Sequence, residues 1–410
     1  MSNYDPNRHE QLAQGCEWSE AAARETIAAI VDEAVHEFDA ERGFPAHPRE
    51  DNLAMGSGFY LGSGGVLWAL WYLHRGGYAK VDENWLIDSL GPLSERCGPE
   101  VKKIARTMAN EVAYLFSRLP LAMMLVELTK EDRWREPVIE DIVRSVDAPV
   151  REFMWGTPGV LTATHLVQDQ TVRDEVRDAD ARNVEKMLAA WSAREHGLSV
   201  FKEELYGGSK VMNGLVHGMA GQVLPLLQRV PALEGDAAER VNRDTVDWLL
   251  RSATRGEHGA NWAPDLIPAG TDTTPFVSHM MLQICHGAPG VIVGCRGLAG
   301  GQDSETEVNA VLAEGAELTW HAGPLQKGPG LCHGTAGNGY AFLVLYERTG
   351  DPQWLERARL FAAHAIDQFN ADVAEFGQQR FTLWTGDPGL AVYLAGCIDG
   401  DARFPTLDVF

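Results

Sequence analysis

One short pattern recurs along this chain and limits its fold more than any other feature: Gly-x-x-Gly running straight into a stretch of apolar residues. It stands at Gly62 to Gly65, Gly156 to Gly159, Gly218 to Gly221, Gly287 to Gly290, Gly334 to Gly337 and Gly386 to Gly389. The first glycines at 287, 334 and 386 lie 47 and 52 residues apart. The stretch between Gly62 and Gly156 has room for one more unit, and Ser117 to Pro120, ahead of Leu121-Ala-Met-Met-Leu-Val126, fills it as a degenerate copy without glycines. That makes seven units. A more polar amphipathic segment precedes each glycine turn, as in the stripe Leu355, Ala358, Ala362, Ala365 and Phe369 before the last one. Each unit therefore reads as an outer amphipathic helix, a glycine turn and a more uniformly apolar inner helix. Units of this length cannot bury their own apolar faces and must stack. The expected fold is all-α, a closed seven-fold ring of helix pairs (an α/α toroid) in which the glycine turns gather at one end of the inner layer.

Nothing rich in Ser, Pro or charge divides the chain, so residues 1–410 are expected to form a single domain, with 1–17 irregular. The first outer helix is expected to begin at Ser19 as N-cap, to bury Ile27, Ile30, Val31, Ala34, Val35 and Phe38, and to stop at Gly43. Met1 to Glu20 is polar, so no secretory signal is expected. The longest apolar runs fall well short of the roughly 18 residues that span a bilayer, so no transmembrane segment is expected. Against 35 basic residues stand 58 acidic ones, a net charge of -23 that argues against nucleic acid as a partner. Six cysteines in 410 residues make no disulfide scaffold and suit a reduced, cytoplasmic protein.

Two of the turns carry chemistry. Cys285-His-Gly-Ala-Pro-Gly290 and Cys332-His-Gly-Thr-Ala-Gly337 repeat Cys-His-Gly-x-x-Gly, and Gly214-Leu-Val-His-Gly-Met-Ala-Gly221 keeps the histidine with Val216 in place of the cysteine. If the inner-helix N-termini converge, Cys285, Cys332 and His333 supply two thiolates and one imidazole. That set suits zinc and leaves one coordination position open, as catalytic sites do. Helix N-termini favour the thiolate form that a metal requires. His217 has no cysteine in its own turn and is the candidate general acid or base facing the same cavity. Cys16, Cys97, Cys295 and Cys397 lie outside the motif and read as core or surface residues, and His279, His286 and His321 carry less weight than His217.

Taken together with the terminal Ala-Arg-Phe-Pro at 402–405, these motifs resemble the lanthionine synthetase C-like (LanC-like) proteins over nearly the whole chain. The resemblance implies a seven-fold α/α toroid with a zinc centre. It places Cys285, Cys332 and His333 on the zinc ligands, His217 on the catalytic histidine, and Glu152 where some members carry an acidic residue. It also implies thioether formation by addition of a thiol to dehydroalanine or dehydrobutyrine. The thiol is the peptide's own cysteine in the bacterial cyclases, and glutathione acting on damaged proteins in the stand-alone members. The segment Pro324 to Leu331 looks closer to the stand-alone group, and Lys327 falls where those proteins contact glutathione. The chain departs from the family at Ile284, where a Trp usually precedes the first ligand cysteine. Two other readings compete: a ring-shaped glycoside hydrolase, which needs paired carboxylates, and a non-catalytic thiol-binding adaptor.

Overall fold

A computed structural model describes residues 2–13, 15–50, 56–104, 112–148, 152–205, 208–299 and 305–410. Fourteen α-helices among the described residues alternate as the repeat pattern predicts. Grouped by repeat unit in chain order, they are α1 (Glu20–Glu37) with α2 (Ser63–Arg75), α3 (Glu83–Ile104) with α4 (Leu119–Thr129), and α5 (Asp132–Ser145) with α6 (Thr157–Leu166). Next come α7 (Gln170–Ala190) with α8 (Met219–Leu227), α9 (Ala237–Ser252) with α10 (Ala288–Gly294), α11 (Glu305–Ala322) with α12 (Thr335–Thr349), and α13 (Pro352–Phe376) with α14 (Asp387–Asp399). Three antiparallel hairpins interrupt the helices among the described residues. These are β1 (Ala193–Glu195) with β2 (Leu198–Val200), β3 (Glu203–Leu205) with β4 (Gly208–Lys210), and β5 (Thr254–Gly256) with β6 (Gly259–Asn261).

The two helix classes differ as their sequences do. Every residue of α8 and of α10 is buried, and so is α12 from Thr335 to Leu345. Outer helix α7 instead buries one stripe, through Val172, Val176, Ala179, Asn183, Val184 and Met187. A helix apolar on all sides must be enclosed, whereas a striped one can face water. Helix α1 is capped as predicted, with the Ser19 hydroxyl accepting from the Ala22 N–H at 3.2 Å. It ends at Glu37 rather than at Gly43. Gly43, at φ +75°, closes a separate turn through paired backbone hydrogen bonds with Asp39. Val35, expected on the buried stripe, is 38% exposed.

The second glycine of each turn has a steric cause. A Cβ at Gly65, Gly159, Gly221, Gly290, Gly337 or Gly389 would lie 1.7 to 2.3 Å from the carbonyl oxygen six residues earlier, so the turn folds back directly onto the first helical turn. Helix α4 starts with Pro120 in its first turn, so the degenerate unit still makes its inner helix.

Hydrogen bonds then link one turn to the next. The N–H of Cys285 donates to Cys332 O, that of Cys332 to Trp384 O, that of Trp384 to Tyr60 O, and that of Tyr60 to Leu115 O. Each of these residues stands two places before the first residue of its turn, so a single geometric relation passes from the fifth unit to the seventh and on to the first and second. Helix α14 accordingly packs against both α1 and α2. At the opposite ends of the inner helices lies the C-terminal segment. Phe410 stacks on Phe59, Leu407 O accepts from Gln228 Nε2 at 2.8 Å, and Asp408 pairs with Arg296 at 3.3 Å.

The first residues are ordered rather than loose. Asp5 N–H donates to Met280 O, Glu10 N–H to Pro324 O, and Gln326 N–H to Arg8 O. The described part of 1–17, which has no α-helix and one 3₁₀ turn at Pro6–Arg8, thus straps the approaches to the fifth and sixth turns. No helix among the described residues is long and apolar enough to cross a membrane.

Candidate metal centre

The backbone bond from Cys285 to Cys332 brings two turns side by side. The ligand atoms of Cys285, Cys332 and His333 all lie within 4.8 Å of one another. This is the one such group of three among the described residues, and two thiols with one imidazole match the donor preference of zinc. A hydrogen bond from Cys332, opposed by burial and assisted by His333, holds the Cys285 thiol well below its ordinary pKa. The same bond and the same burial hold Cys332 up. Further hydrogen bonds reach both sulfurs. Tyr60 Oη donates to Cys332 Sγ at 2.9 Å, and Gln283 Nε2 donates to Cys285 Sγ at 2.7 Å. Burial, then the charge of the two sulfurs, pushes the Tyr60 phenol well above its usual value, so it remains a donor.

Beside this centre the fourth unit presents His217. Its turn presses on the fifth: a Cβ on Gly214 would meet Cys285 O at 2.2 Å and His286 Nδ1 at 2.6 Å. His217 Nδ1 lies 2.8 Å from Glu152 Oε2, while Glu152 Oε1 accepts from the Trp155 N–H. Glu152 is fully buried, and the His217 side chain keeps 17% of its surface. Burial pulls the imidazolium down, but the hydrogen bond and charge of Glu152, with Cys285 adding to them, outweigh it and leave the pKa raised. His286 lies beside it with ring centroids 6.0 Å apart, and burial lowers its pKa. One buried carboxylate orients Nδ1 of the imidazole, an arrangement suited to a general acid or base.

Lys327 is exposed on the loop before Cys332, and its charge reaches that sulfur. Its carbonyl oxygen lies 3.5 Å from Arg49 Nη1. The remaining cysteines stay apart from the centre. Cys295 and Cys397 are buried, which pushes each thiol up to about 12, and Cys16 points at Leu360 O. His321 stacks on His258 and takes no part.

Sequence reasoning missed four residues here. Tyr60 and Gln283 touch the ligand sulfurs, and Arg8 Nη2 donates to Gln283 Oε1 at 2.7 Å. Glu203 on β3 is buried, and neither of its oxygens has a hydrogen-bond partner among the described residues. Burial and the charge of Glu152 push its carboxyl well up. Only Tyr60 had a signal, since it occupies the first unit's equivalent of Cys285 and Cys332.

Paired helices carrying a Cys, Cys, His centre next to a carboxylate–histidine pair define a class, and the comparisons agree with it. Residues 11–409 match the family described as Lanthionine synthetase C-like protein, and the chain belongs to that family. It is 29% identical over 197 residues to Glutathione S-transferase LANCL1 of Danio rerio, a stretch covering 48% of this chain and 45% of that protein. It is 31% identical over 134 residues to LanC-like protein GCL1 of Arabidopsis thaliana, covering 32% and 30%. The matched stretches thus span less than half the length of these curated relatives. Nisin cyclase shares the fold, with a TM-score of 0.59 over 89% of this chain and 92% of that one at 13% identity.

Proposed function

We propose that this chain is a zinc-dependent enzyme that adds a small thiol such as glutathione to dehydroalanine or dehydrobutyrine residues of peptides or proteins, forming a thioether. The observation that carries this reading is the contact of two unlike groups: a three-ligand centre and, across Gly214, a buried carboxylate–histidine pair. Zinc bound by Cys285, Cys332 and His333 supplies a Lewis acid that favours the thiolate of an incoming thiol, whose pKa of about 8.5 otherwise keeps it mostly protonated near neutrality. In the addition the S–H bond breaks, sulfur bonds to the β-carbon, and the alkene electron pair moves to an enolate. His217 carries the proton that then bonds to the α-carbon. Glu152 holds Nδ1 and steadies the imidazolium, which accounts for the raised pKa. Lys327 neutralises a carboxylate of the thiol at the mouth of the cavity.

The same reading takes 1–410 as one domain and its seven helix pairs as a closed ring, supported by the hydrogen bonds that run from the seventh unit into the first. Six free cysteines among the described residues suit a reducing, cytoplasmic setting. The test is mass spectrometry of a dehydroalanine peptide incubated with the zinc-loaded protein, with glutathione or with a cysteine in the same peptide as nucleophile. Addition of glutathione supports the proposal. Ring closure alone would make the chain a peptide cyclase, and no product with either would leave a thiol-binding adaptor.

A further inference from the structure

Each of the two candidate ligand sulfurs accepts a hydrogen bond from a side chain that is not itself a ligand, and the two contacts have a common direction. Cys332 Sγ receives the phenol of Tyr60, from the first unit. Cys285 Sγ receives the side-chain amide of Gln283, and the Gln283 carbonyl oxygen accepts from Arg8, 275 residues away in sequence. The guanidinium has only N–H groups to offer, so it fixes the amide with oxygen towards Arg8 and nitrogen towards sulfur. Arg8 is held for this task by the strap. Its own carbonyl accepts from Gln326 N–H, and Asp5 beside it donates to Met280 O. Gln283 is itself buried and bonded through its N–H to His286 O, so the amide has little freedom to turn away.

We infer that Tyr60 and the Arg8–Gln283 pair are positioning residues that draw charge off the two ligand thiolates. Two thiolates together would neutralise a dication and blunt its pull on a third sulfur. A hydrogen bond to a thiolate stabilises charge on the ligand and leaves more positive character at the open coordination position, the kind of tuning that groups behind metal ligands exert. Arg8 strengthens the effect by polarising the amide, as successive hydrogen bonds reinforce one another. The N-terminal strap, in this view, sets the electronic character of a centre to which it contributes no ligand. The inference rests on the metal reading of Cys285, Cys332 and His333.

Cobalt(II) is the probe, because sulfur-to-cobalt charge-transfer absorption reports the electron richness of the thiolates directly. Tyr60→Phe and Gln283→Met remove the donors with little change of shape. Both are expected to keep one cobalt per chain and the wild-type melting temperature while moving the band to longer wavelength. Arg8→Met should move it in the same direction as Gln283→Met, but less. Glutathione should bind each cobalt-loaded Tyr60→Phe and Gln283→Met protein roughly tenfold more weakly than wild type. Unmoved bands in both variants overturn the inference, and so does loss of cobalt from a folded Gln283→Met chain, which would make Gln283 a prop of the site. A wild-type protein that takes up no cobalt would instead fail the metal reading itself, so the two failures are distinguishable.

Discussion

The fifth and sixth turns and the third and fourth turns are built alike, with a glycine pair pressing a loop onto the start of an inner helix. They carry opposite kinds of chemistry. In the fifth and sixth, the candidate ligand set is written locally as Cys-His-Gly, and a backbone bond between Cys285 and Cys332 brings its two halves together. In the third and fourth, neither turn is sufficient alone. Glu152 and His217 are 65 residues apart and become a hydrogen-bonded pair only through packing. A common turn can thus bring in most of a candidate centre or half of one, depending on which of the four residues before its first glycine carry functional groups.

The largest expected effect separates the two halves outright. Cys332→Ala removes one of three ligands and should lower metal affinity by more than the roughly hundredfold that outer partners command, whereas Cys295→Ala, buried at the far end of α10, should leave it unchanged. Metal content and cobalt titration measure both. Equal retention in the two variants would remove Cys332 from the ligand set.

His217→Ala should give the reverse outcome: metal and fold kept, with thiol addition down by about a hundredfold to ten thousandfold. Joint loss of metal and activity would merge the two regions into one centre and withdraw the acid–base role.

Glu152→Gln should cost less, and it tests how the two residues are linked. The raised His217 pKa means that its proton is lost only as pH climbs past the ordinary histidine value of about 6.5. Activity that depends on imidazolium should fall over that range, and in Glu152→Gln the fall should begin at lower pH. Stability follows the same sign. A raised folded-state pKa contributes fully below the unfolded value and is lost as pH rises through the folded one. Denaturant midpoints with pH, alongside nuclear magnetic resonance titration of His217, check both, and an unchanged His217 titration would dissolve the pair.

The smallest effect belongs to Lys327, an exposed cation that water screens. Lys327→Ala should raise KM for glutathione by about fivefold, with less change for mercaptoethanol, which has no carboxylate. Equal responses would show that Lys327 does not read the carboxylate.

Much of this molecule was legible in its residues because its defining constraints are local. Gly-x-x-Gly recurs where a Cβ would strike a carbonyl oxygen six residues back, and apolar content separates inner from outer helices because inner ones have no wet face. Cys-His-Gly names its own chemistry, and Ser19 caps α1 where the pattern places it. The end of α1 was misread, because a glycine with positive φ closes a short turn as readily as it terminates a helix.

What tertiary structure alone decided are the relations that no periodicity encodes. The bond from Trp384 to Tyr60 brings the last unit to the first and puts a phenol on a ligand sulfur. An N-terminal stretch that reads as irregular in sequence crosses two turns and fixes Gln283 through Arg8. Glu203, an ordinary hairpin residue by composition, is buried within electrostatic reach of Glu152. The physical reason is one of range. Backbone sterics and helix amphipathicity act within a few residues and leave a repeating trace in sequence. Hydrogen bonds between side chains tens or hundreds of residues apart form only once the stacked pairs fix distance and orientation, and a single Tyr, Gln or Arg at such a contact looks like any other.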